Sequence, residues 1–290
     1  MTTGTTRIEQ IAEAYHLSYH LDLLKLAQGH GLLAGKRVLE IGGSLPEELV
    51  VGHFGVERWV CVDRYEDYRA LEHRGHAFYA QTNPRAFAAD QPIYRPGRDA
   101  LPAAAWSRFD GDAGDLSTAF DSQFDLVVSI ATFEHVQDLP GALRALRRAL
   151  VPGGHLALLV GPIWSGSRGH HIYRNYFPDF AEQTARFLSD LEPWGHLLHT
   201  RSEMFARNRE RFGAEFAELV GYCLYEAPHL NRLFADEYFD YFAQHGMAVV
   251  QNYPWGPDPV EKKVWKQVRK LYPAHRDFEW DGFTCLLRAR

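Results

Sequence analysis

The chain has 290 residues, of which 46% are hydrophobic and 23% are charged, a composition typical of globular proteins with a sizeable core. Its formal net charge of -6 argues against a general affinity for polyanions, so we expect no nucleic-acid partner. No apolar run approaches the ~20 residues of a membrane span, and residues 1–10 lack the apolar core of a signal peptide. Three widely separated cysteines without a CxxC pair favour a reducing compartment, and we predict a cytoplasmic protein without membrane contact.

The sequence predicts an N-terminal helical segment that is followed by short apolar strands. Residues 1–34 predict helix, because apolar side chains recur at helical spacing until a group of glycines. Residues 37–41 and 59–62 are typical of buried strands, and 125–130 form the clearest strand in the chain. An amphipathic helix and a Pro-Gly-Gly turn then lead into a further strand at 156–160. Between the second and third of these strands the stretch from 65 to 105 is interpreted as irregular.

Residues 161–234 interrupt this alternation with a helical segment rich in aromatic, histidine, arginine and glutamate residues. The α/β pattern resumes with a helix near 235–244 and with strands at 247–252 and 283–287. Alternating strands and helices predict a doubly wound, mainly parallel sheet covered on both faces. The predicted organisation is an N-terminal helical segment (1–34), a cofactor-binding α/β core (35–160), a helical cap on the substrate side (161–234) and the end of the core (235–290).

Glycine or polar residues follow four of the predicted strands, which is where ligands bind in an open α/β sheet. Gly42 and Gly43 end the first strand and permit a ligand to approach the backbone closely. Asp63 ends the next strand and can accept hydrogen bonds from both hydroxyls of a ribose. The segment 110–113 (Asp-Gly-Asp-Ala) is suited to an exocyclic amine, and 124–136 is the fourth stretch.

These four stretches, in this order and spacing, resemble the class I S-adenosylmethionine-dependent methyltransferases. Gly42 and Gly43 resemble the glycine motif of that family, Asp63 resembles its ribose-binding acid, and 111–113 resembles its adenine-contacting loop. The runs 124–136 and 150–154 are similar to those of its small-molecule branch. The family's usual third glycine is absent here, its position falling near Ser44 or Pro46, and the GxGxxG spacing of dinucleotide dehydrogenases is absent as well.

The resemblance implies a Rossmann-like sheet of the methyltransferase type. That sheet is mostly parallel with an antiparallel last strand, and here the helical cap is inserted after the fifth strand. The resemblance also implies S-adenosylmethionine as cofactor. The implied cofactor neighbours are Glu40, Gly42, Gly43, Ser44, Asp63, Arg64, Asp112, Ala113, Ser129, Ala131 and Tyr19. Tyr19 enters this set with Tyr15, one turn away, because the N-terminal helix of related enzymes closes over the cofactor; core packing is the alternative for both.

Methyl transfer asks the protein to align the acceptor atom and to exclude water, and a general base helps when the acceptor is a hydroxyl or an ammonium. Histidine is the natural candidate near neutral pH. His135 follows the fourth stretch, and His170 and His171 lie in a glycine-rich loop after the fifth strand. The alternative role of these three histidines is local hydrogen bonding. We predict methyl transfer to an O, N or C atom of a small organic molecule, with natural-product and sugar intermediates as candidates.

Two alternatives stay open from the sequence. Glu134, His135, His170 and His171 offer nitrogen and oxygen ligands for a metal, but no ligand spacing recurs on one helix, and we expect activity without a metal. The other is a protein that binds S-adenosylmethionine without transferring its methyl group, as a structural ligand or for a rearrangement. The sequence also leaves the oligomeric state undecided, and a homodimer is the oligomer considered.

Overall fold

The computed structural model describes residues 6–43, 45–65, 92–174, 176–256 and 262–290. Within these ranges an eight-stranded sheet runs through the molecule. Its strands are β1 Arg37–Ile41, β2 Arg58–Asp63, β3 Ile93–Tyr94, β4 Trp106–Asp110, β5 Phe124–Ile130, β6 Leu150–Val160, β7 Met247–Trp255 and β8 Gly282–Ala289.

The strand order is β3-β4-β2-β1-β5-β6-β8-β7. All neighbours from β3 to β6 pair in parallel, and β8 pairs antiparallel with both β6 and β7. The direction of the strand order reverses between β1 and β5, which leaves a crevice at their carboxyl ends. The predicted Rossmann-like sheet with an antiparallel last strand is therefore confirmed.

Helices cover both faces of the sheet, because each strand of a parallel sheet must bury two apolar sides. The helices are α1 Arg7–Ala14, α2 His20–Gly29, α3 Glu47–Val50, α4 Leu139–Ala149, α5 Ala181–Asp190, α6 Gly195–Leu198, α7 Arg201–Phe212, α8 Ala214–Tyr225, α9 Ala235–Gln244 and α10 Lys262–Leu271. Leu143 of α4 and Phe242 of α9 belong to the core on one face. Leu23 of α2 and Leu49 of α3 belong to the core on the other.

Two local predictions differ from the structure. The N-terminal segment is two helices and not one, because the chain turns between them and His16 has a positive φ of 55°. Tyr15 and Tyr19 therefore do not share a helix. The predicted Pro-Gly-Gly turn lies inside β6, where the pairing with β5 shifts from Phe124↔Leu150 to Leu126↔His155.

The helices α5 to α8 lie between β6 and α9, and α5, α7 and α8 have a hydrophobic core of their own, whereas Leu197 of α6 packs with Val268 of α10 and Phe278. The buried members of this separate core include Ile172, Phe187, Met204, Phe216 and Val220. Most aromatic residues of the predicted cap are thereby used in packing. The cap arginines pair with cap carboxylates: the pairs are Arg201 with Glu218 and Glu226, Arg207 with Glu192, and Arg211 with Asp190.

The predicted irregular stretch 65–105 lies mostly outside the described residues, from which only 65 and 92–105 can be placed. Residues 93 and 94 form the short strand β3 at the sheet edge. Among the helices that the structure describes, none has the length and apolar composition needed to cross a membrane.

Candidate functional site

The turn after β1 brings the backbone of two strands close together. Gly42 and Gly43 have positive φ values of 73° and 123°, and the Gly42 N–H donates to the carbonyl of Val62 at 2.9 Å. A Cβ atom on Gly42 would lie 2.5 Å from Cβ of Thr132, which follows β5. Glycine is therefore required here by the close approach of Thr132 as well as by the backbone conformation.

Glu40 supports this turn from inside the protein. Its side chain is 2% exposed and accepts hydrogen bonds from Trp59 Nε1 at 2.7 Å, the Leu45 N–H at 3.0 Å and Cys61 Sγ at 3.2 Å. Burial raises the pKa of Glu40 to about 7, and these hydrogen bonds oppose the rise. Glu40 thus fixes the path of the chain under the turn, so its side chain faces the protein and not a ligand.

Asp63 lies at the end of β2, beside the glycine turn. Its Oδ2 accepts from the Gly43 N–H at 2.7 Å, and its Oδ1 accepts from the N–H of Arg64 at 2.8 Å. The hydroxyl of Tyr65 donates to the Gly43 carbonyl at 2.8 Å. Each carboxylate oxygen has more than one lone pair, so Asp63 can accept further hydrogen bonds while holding the turn.

The third predicted stretch adjoins Asp63. Asp110 pairs with Asp63 in the register of β2 and β4, and it forms an ion pair with Arg95. The Gly111 N–H donates to the carbonyl of Asp63 at 3.1 Å. Asp112 is exposed and caps a short 3-10 turn in which Ala113 is buried. The ends of β2 and β4 thus place Asp63 and residues 112–113 along one edge.

The end of β5 completes the crevice. Ser129 is fully buried and its hydroxyl donates to the Ile41 carbonyl at 2.8 Å, so this side chain joins β5 to β1. Ala131 has a positive φ of 49° and is partly exposed where the strand order reverses. The next residue, Thr132, donates from Oγ1 to the carbonyl of Ile130 at 3.0 Å.

Ser44 and Tyr19 are the remaining two predicted cofactor neighbours. Ser44 lies outside the described residues. Tyr19 is 46% exposed, and its ring stacks on that of His20 with 4.3 Å between centroids. Burial by surrounding atoms and the charge of Glu134 raise the pKa of Tyr19. The junction between α1 and α2 therefore reaches the neighbourhood of Glu134, beyond the end of β5.

His135 lies on the wall of this crevice. Its Nδ1 donates to the carbonyl of His229 at 2.5 Å, and its ring centroid is 5.1 Å from that of His171. Solvent reaches the ring, yet burial lowers the pKa of His135, as expected for a group with protein on several sides. His135 is thus an exposed residue whose pKa lies below the ordinary value for histidine.

The structure does not support His170 and His171 as general bases. His171 is 4% exposed and its Nε2 donates to the Pro162 carbonyl, while His170 Nδ1 accepts from the Ile172 N–H at 3.1 Å. Burial lowers the pKa of each to about 3, which makes both rings weak proton acceptors. These contacts correspond to the alternative role, in which the histidines fix the loop after β6.

Glu134 is a buried carboxyl group that the sequence analysis considered only as a metal ligand. It is 2% exposed, and its Oε1 accepts from the Gly161 N–H at 3.1 Å. Its Oε2 is buried without a hydrogen-bond partner among the described residues. Burial raises the pKa of Glu134 to about 8. The sequence carries no signal for this inward orientation, because Glu134 lies in a short 3-10 turn without periodicity.

Across the described ranges, no three His, Cys, Asp or Glu side chains converge in a way that could hold a metal ion. The four candidates Glu134, His135, His170 and His171 therefore do not form such a group. Glu134 contacts the Gly161 backbone, and both loop histidines contact backbone groups of their own loop.

The residues at the carboxyl ends of β1, β2, β4 and β5 fit an adenosine-containing cofactor. Gly42 and Gly43 carry no side chain and have positive φ values, and the positions that their Cβ atoms would occupy face Thr132 and Glu40. Asp63 stands next to this turn as an acceptor for ribose hydroxyls, and Asp112 and Ala113 continue the edge.

Comparison with known proteins agrees with this geometry. Residues 97–158 match the model of a family described as a methyltransferase domain. The match contains β4, β5 and most of β6, and with them two of the four predicted stretches, 110–113 and 124–136. It confirms the methyltransferase domain that the strand-end residues predicted. No curated protein matches the chain.

Similar solved structures are methyltransferases of several organisms. An S-adenosylmethionine-dependent methyltransferase from Mesorhizobium loti is 11% identical, with a TM-score of 0.48, and the alignment covers 94% of this chain and 99% of that one. One described as putative from Listeria monocytogenes is 11% identical, with a TM-score of 0.49 and coverages of 94% and 97%. Phosphoethanolamine N-methyltransferase 2 of Haemonchus contortus, solved with S-adenosyl-L-methionine, is 12% identical, with a TM-score of 0.47 and coverages of 100% and 57%.

Proposed function

We propose that this chain, a class I S-adenosylmethionine-dependent methyltransferase, methylates an O, N or C atom of a small organic molecule, with natural-product and sugar intermediates as candidates. When bound, the cofactor supplies a methyl group activated by a positively charged sulfur, which is a good leaving group. The residues of this chain bind and orient the two reactants and exclude water. A cytoplasmic location, a homodimer and the lack of a nucleic-acid partner stay predictions.

The cofactor would be held along the edge formed by β1, β2 and β4. The Gly42–Gly43 turn would lie against it, Asp63 would accept from the ribose hydroxyls, and Asp112 and Ala113 would border the adenine. Glu40 and Ser129 act indirectly in this proposal, since their polar groups hold the turn and the strands in place.

The observation that carries the small-molecule assignment is the closure of the crevice by the chain returning from the cap. Asn231 Nδ2 donates to the carbonyls of Phe133 at 2.7 Å and Val136 at 3.1 Å, and the Asn231 N–H donates to the Glu134 carbonyl at 2.9 Å. Residues 229–231 therefore lie directly against the turn after β5. The cover that this segment forms over the turn after β5 supports a small acceptor over a folded macromolecule.

Incubation with isotope-labelled S-adenosylmethionine and a library of small acceptors, followed by mass spectrometry, tests this function. We expect labelled methyl groups in one chemical class of small molecule, and none in tRNA or in an unrelated protein added as comparison. Cofactor binding without any labelled product would instead support the alternative of a protein that binds the cofactor without methyl transfer.

Replacing Asp63 by Ala is expected to raise the dissociation constant of the cofactor at least tenfold, because hydrogen bonds to a charged acceptor contribute roughly 1.5–3 kcal/mol. Titration calorimetry measures the constant. Asp121→Ala is the matched control, since Asp121 pairs with Arg148 at the opposite, amino-terminal side of β5. A folded Asp63→Ala variant with unchanged affinity would remove Asp63 from the cofactor site.

The double substitution of His170 and His171 by Ala separates fixing of the loop from catalysis. We expect a lower melting temperature, because two buried rings and their backbone contacts are lost, and a turnover of the folded fraction that stays within about tenfold. Thermal melts and single-turnover rates on the same samples provide both values. A loss of ~100-fold in rate at an unchanged melting temperature would restore these histidines as general bases.

A further inference from the structure

Glu134 is an acidic group at the acceptor end of the crevice that the cofactor contacts proposed above leave unused. Its main chain belongs to the turn directly after β5, and Oε1 is held by the Gly161 N–H at the end of β6. The group therefore lies between the ends of two central strands, on the side to which the cap returns. Its second oxygen, Oε2, has no partner in the part of the chain that the structure describes.

The groups that face Glu134 offer no compensating positive charge. Its charge acts on the phenols of Tyr19, at the start of α2, and Tyr238, on α9, and raises the pKa of both in addition to the effect of burial. The Tyr238 hydroxyl donates to Asn231 Oδ1 at 3.0 Å. No lysine or arginine of the described residues contributes to the pKa of Glu134, and burial lowers the pKa of the neighbouring His135.

A buried carboxyl oxygen without a donor or a cation is costly, and proteins satisfy such groups with a partner. A hydroxyl ligand would supply a donor without a charge, whereas an amino group supplies both. We propose that Glu134 Oε2 receives the amino group of the methyl acceptor, so that the substrates of this enzyme are small amines. The inference rests on the proposed function, for which it specifies the acceptor atom as nitrogen.

Glu134, which burial keeps mostly protonated near pH 7, releases its own proton to solvent as the ammonium form binds, and the resulting carboxylate then takes up one proton of the bound ammonium. One N–H bond of the substrate breaks and an O–H bond to Oε2 forms, which leaves the lone pair on the substrate nitrogen. An ammonium has no lone pair, so the nitrogen becomes a nucleophile only after this transfer. Burial, which raises the pKa of Glu134 to about 8, makes its carboxylate a stronger base than an exposed one.

Binding of matched amines and alcohols to the full chain, saturated with S-adenosylhomocysteine, tests the proposal. The probes are benzylamine, phenethylamine and butylamine, each with its alcohol counterpart, titrated near neutral pH in two buffers of different ionisation enthalpy. We expect at least one amine to bind more than tenfold tighter than its alcohol. That amine should release close to one proton per molecule bound, since the Glu134 carboxyl is mostly protonated at about pH 7 before the ammonium arrives.

Glu134→Gln keeps the size of the side chain and removes its charge. It should lose both the preference for the amine and the proton release, while cofactor affinity changes less than about threefold. The matched control is Glu218→Gln, which removes an exposed cap carboxylate and should keep both. Infrared spectra of the unsubstituted protein supply a readout that needs no variant: a carboxylic-acid band should disappear when the amine binds and persist with the alcohol.

The proposal is overturned if no amine of the panel binds more tightly than its alcohol, or if Glu134→Gln keeps the preference. Labelled methyl transfer to alcohols or carbon acids, with amines inert, would overturn it and leave the methyltransferase function intact. Amine binding with proton release but without transfer to any acceptor would instead overturn the proposed function and not the assignment of Glu134 as an amine site.

Discussion

Acidification from about pH 6 to pH 4 is expected to destabilise the protein steeply, with a loss of roughly 4 kcal/mol in the free energy of unfolding per pH unit near pH 5. Burial lowers the pKa of five histidines from 6.5, to about 3 for His170 and His171 and to about 4 for His20, His196 and His229. Near pH 5 the unfolded chain therefore binds nearly five more protons than the folded one at these positions. Their stabilisation is complete above about pH 6.5 and is lost as the pH falls toward the folded values.

Two carboxyl groups change the stability of the folded state with pH in the opposite direction. Burial raises the pKa of Glu40 to about 7 and that of Glu134 to about 8, so the folded state binds more protons there. Their contribution to stability is present below the unfolded pKa of 4.5 and is lost as the pH rises through 7 and 8. Between pH 6.5 and 4.5 they offset two of the five histidines, which leaves a net difference of about three protons near pH 5.

Urea unfolding at a series of pH values measures this slope. His196→Gln provides the comparison, because it removes one titrating ring whose Nε2 donates to the Trp164 carbonyl at 2.7 Å. We expect its slope to be smaller by about one proton, or ~1.4 kcal/mol per pH unit. If the stability of the unsubstituted protein changed by less than ~1.4 kcal/mol per pH unit near pH 5, the result would contradict the lowered pKa values of these histidines.

Replacing Gly42 by Ala is expected to lower the free energy of unfolding by about 2–5 kcal/mol and to abolish measurable cofactor binding. The left-handed backbone conformation costs an Ala roughly 1–2 kcal/mol, and the contact with Thr132 adds the ~1–3 kcal/mol typical of overpacking. Denaturant unfolding and calorimetric titration measure the two effects. The turn would have to move away from Thr132, and Asp63 Oδ2 would lose its hydrogen bond from the Gly43 N–H.

Gly35→Ala separates the two costs. Gly35 has a similar φ of 66°, but nothing lies within 4 Å of the position that its Cβ would occupy. This variant should lose only the conformational part, about 1–2 kcal/mol, and should bind cofactor normally. Equal costs for the two substitutions would mean that Thr132 can make room, and that the glycine at position 42 serves backbone conformation alone.

The central strands and their ends could be predicted from the sequence, because β1, β2 and β5 are buried on both faces and are therefore continuous apolar runs. The strand β4 escapes this rule, since its interior includes Ser107 and Arg108, which are buried polar residues. The guanidinium of Arg108 lies 5.6 Å from the ring centroid of Tyr65. A local sequence pattern does not predict this contact, because the two residues are far apart in the chain.

Positions in the crevice followed from chain order, but side-chain directions did not. Asp63 and the glycine turn were placed correctly at the strand ends by the rule that ligand sites lie there. The sequence could not distinguish His135, which solvent reaches, from His171, which donates to a backbone carbonyl in its own loop. The inward direction of Glu134 depends on Gly161 and Asn231, which lie 27 and 97 positions away in the chain.

The helices α5, α7 and α8 have a hydrophobic core that is separate from the two cores that flank the sheet. The helix α6 instead ties this part of the chain to α10, because Leu197 and Trp194 pack with Val268 and Phe278. If the cap borders the acceptor as proposed, sequence drift around Phe216 can remodel the acceptor side while the strands that border the cofactor keep their packing. Substrate choice and cofactor use would then become separately evolvable traits on one scaffold.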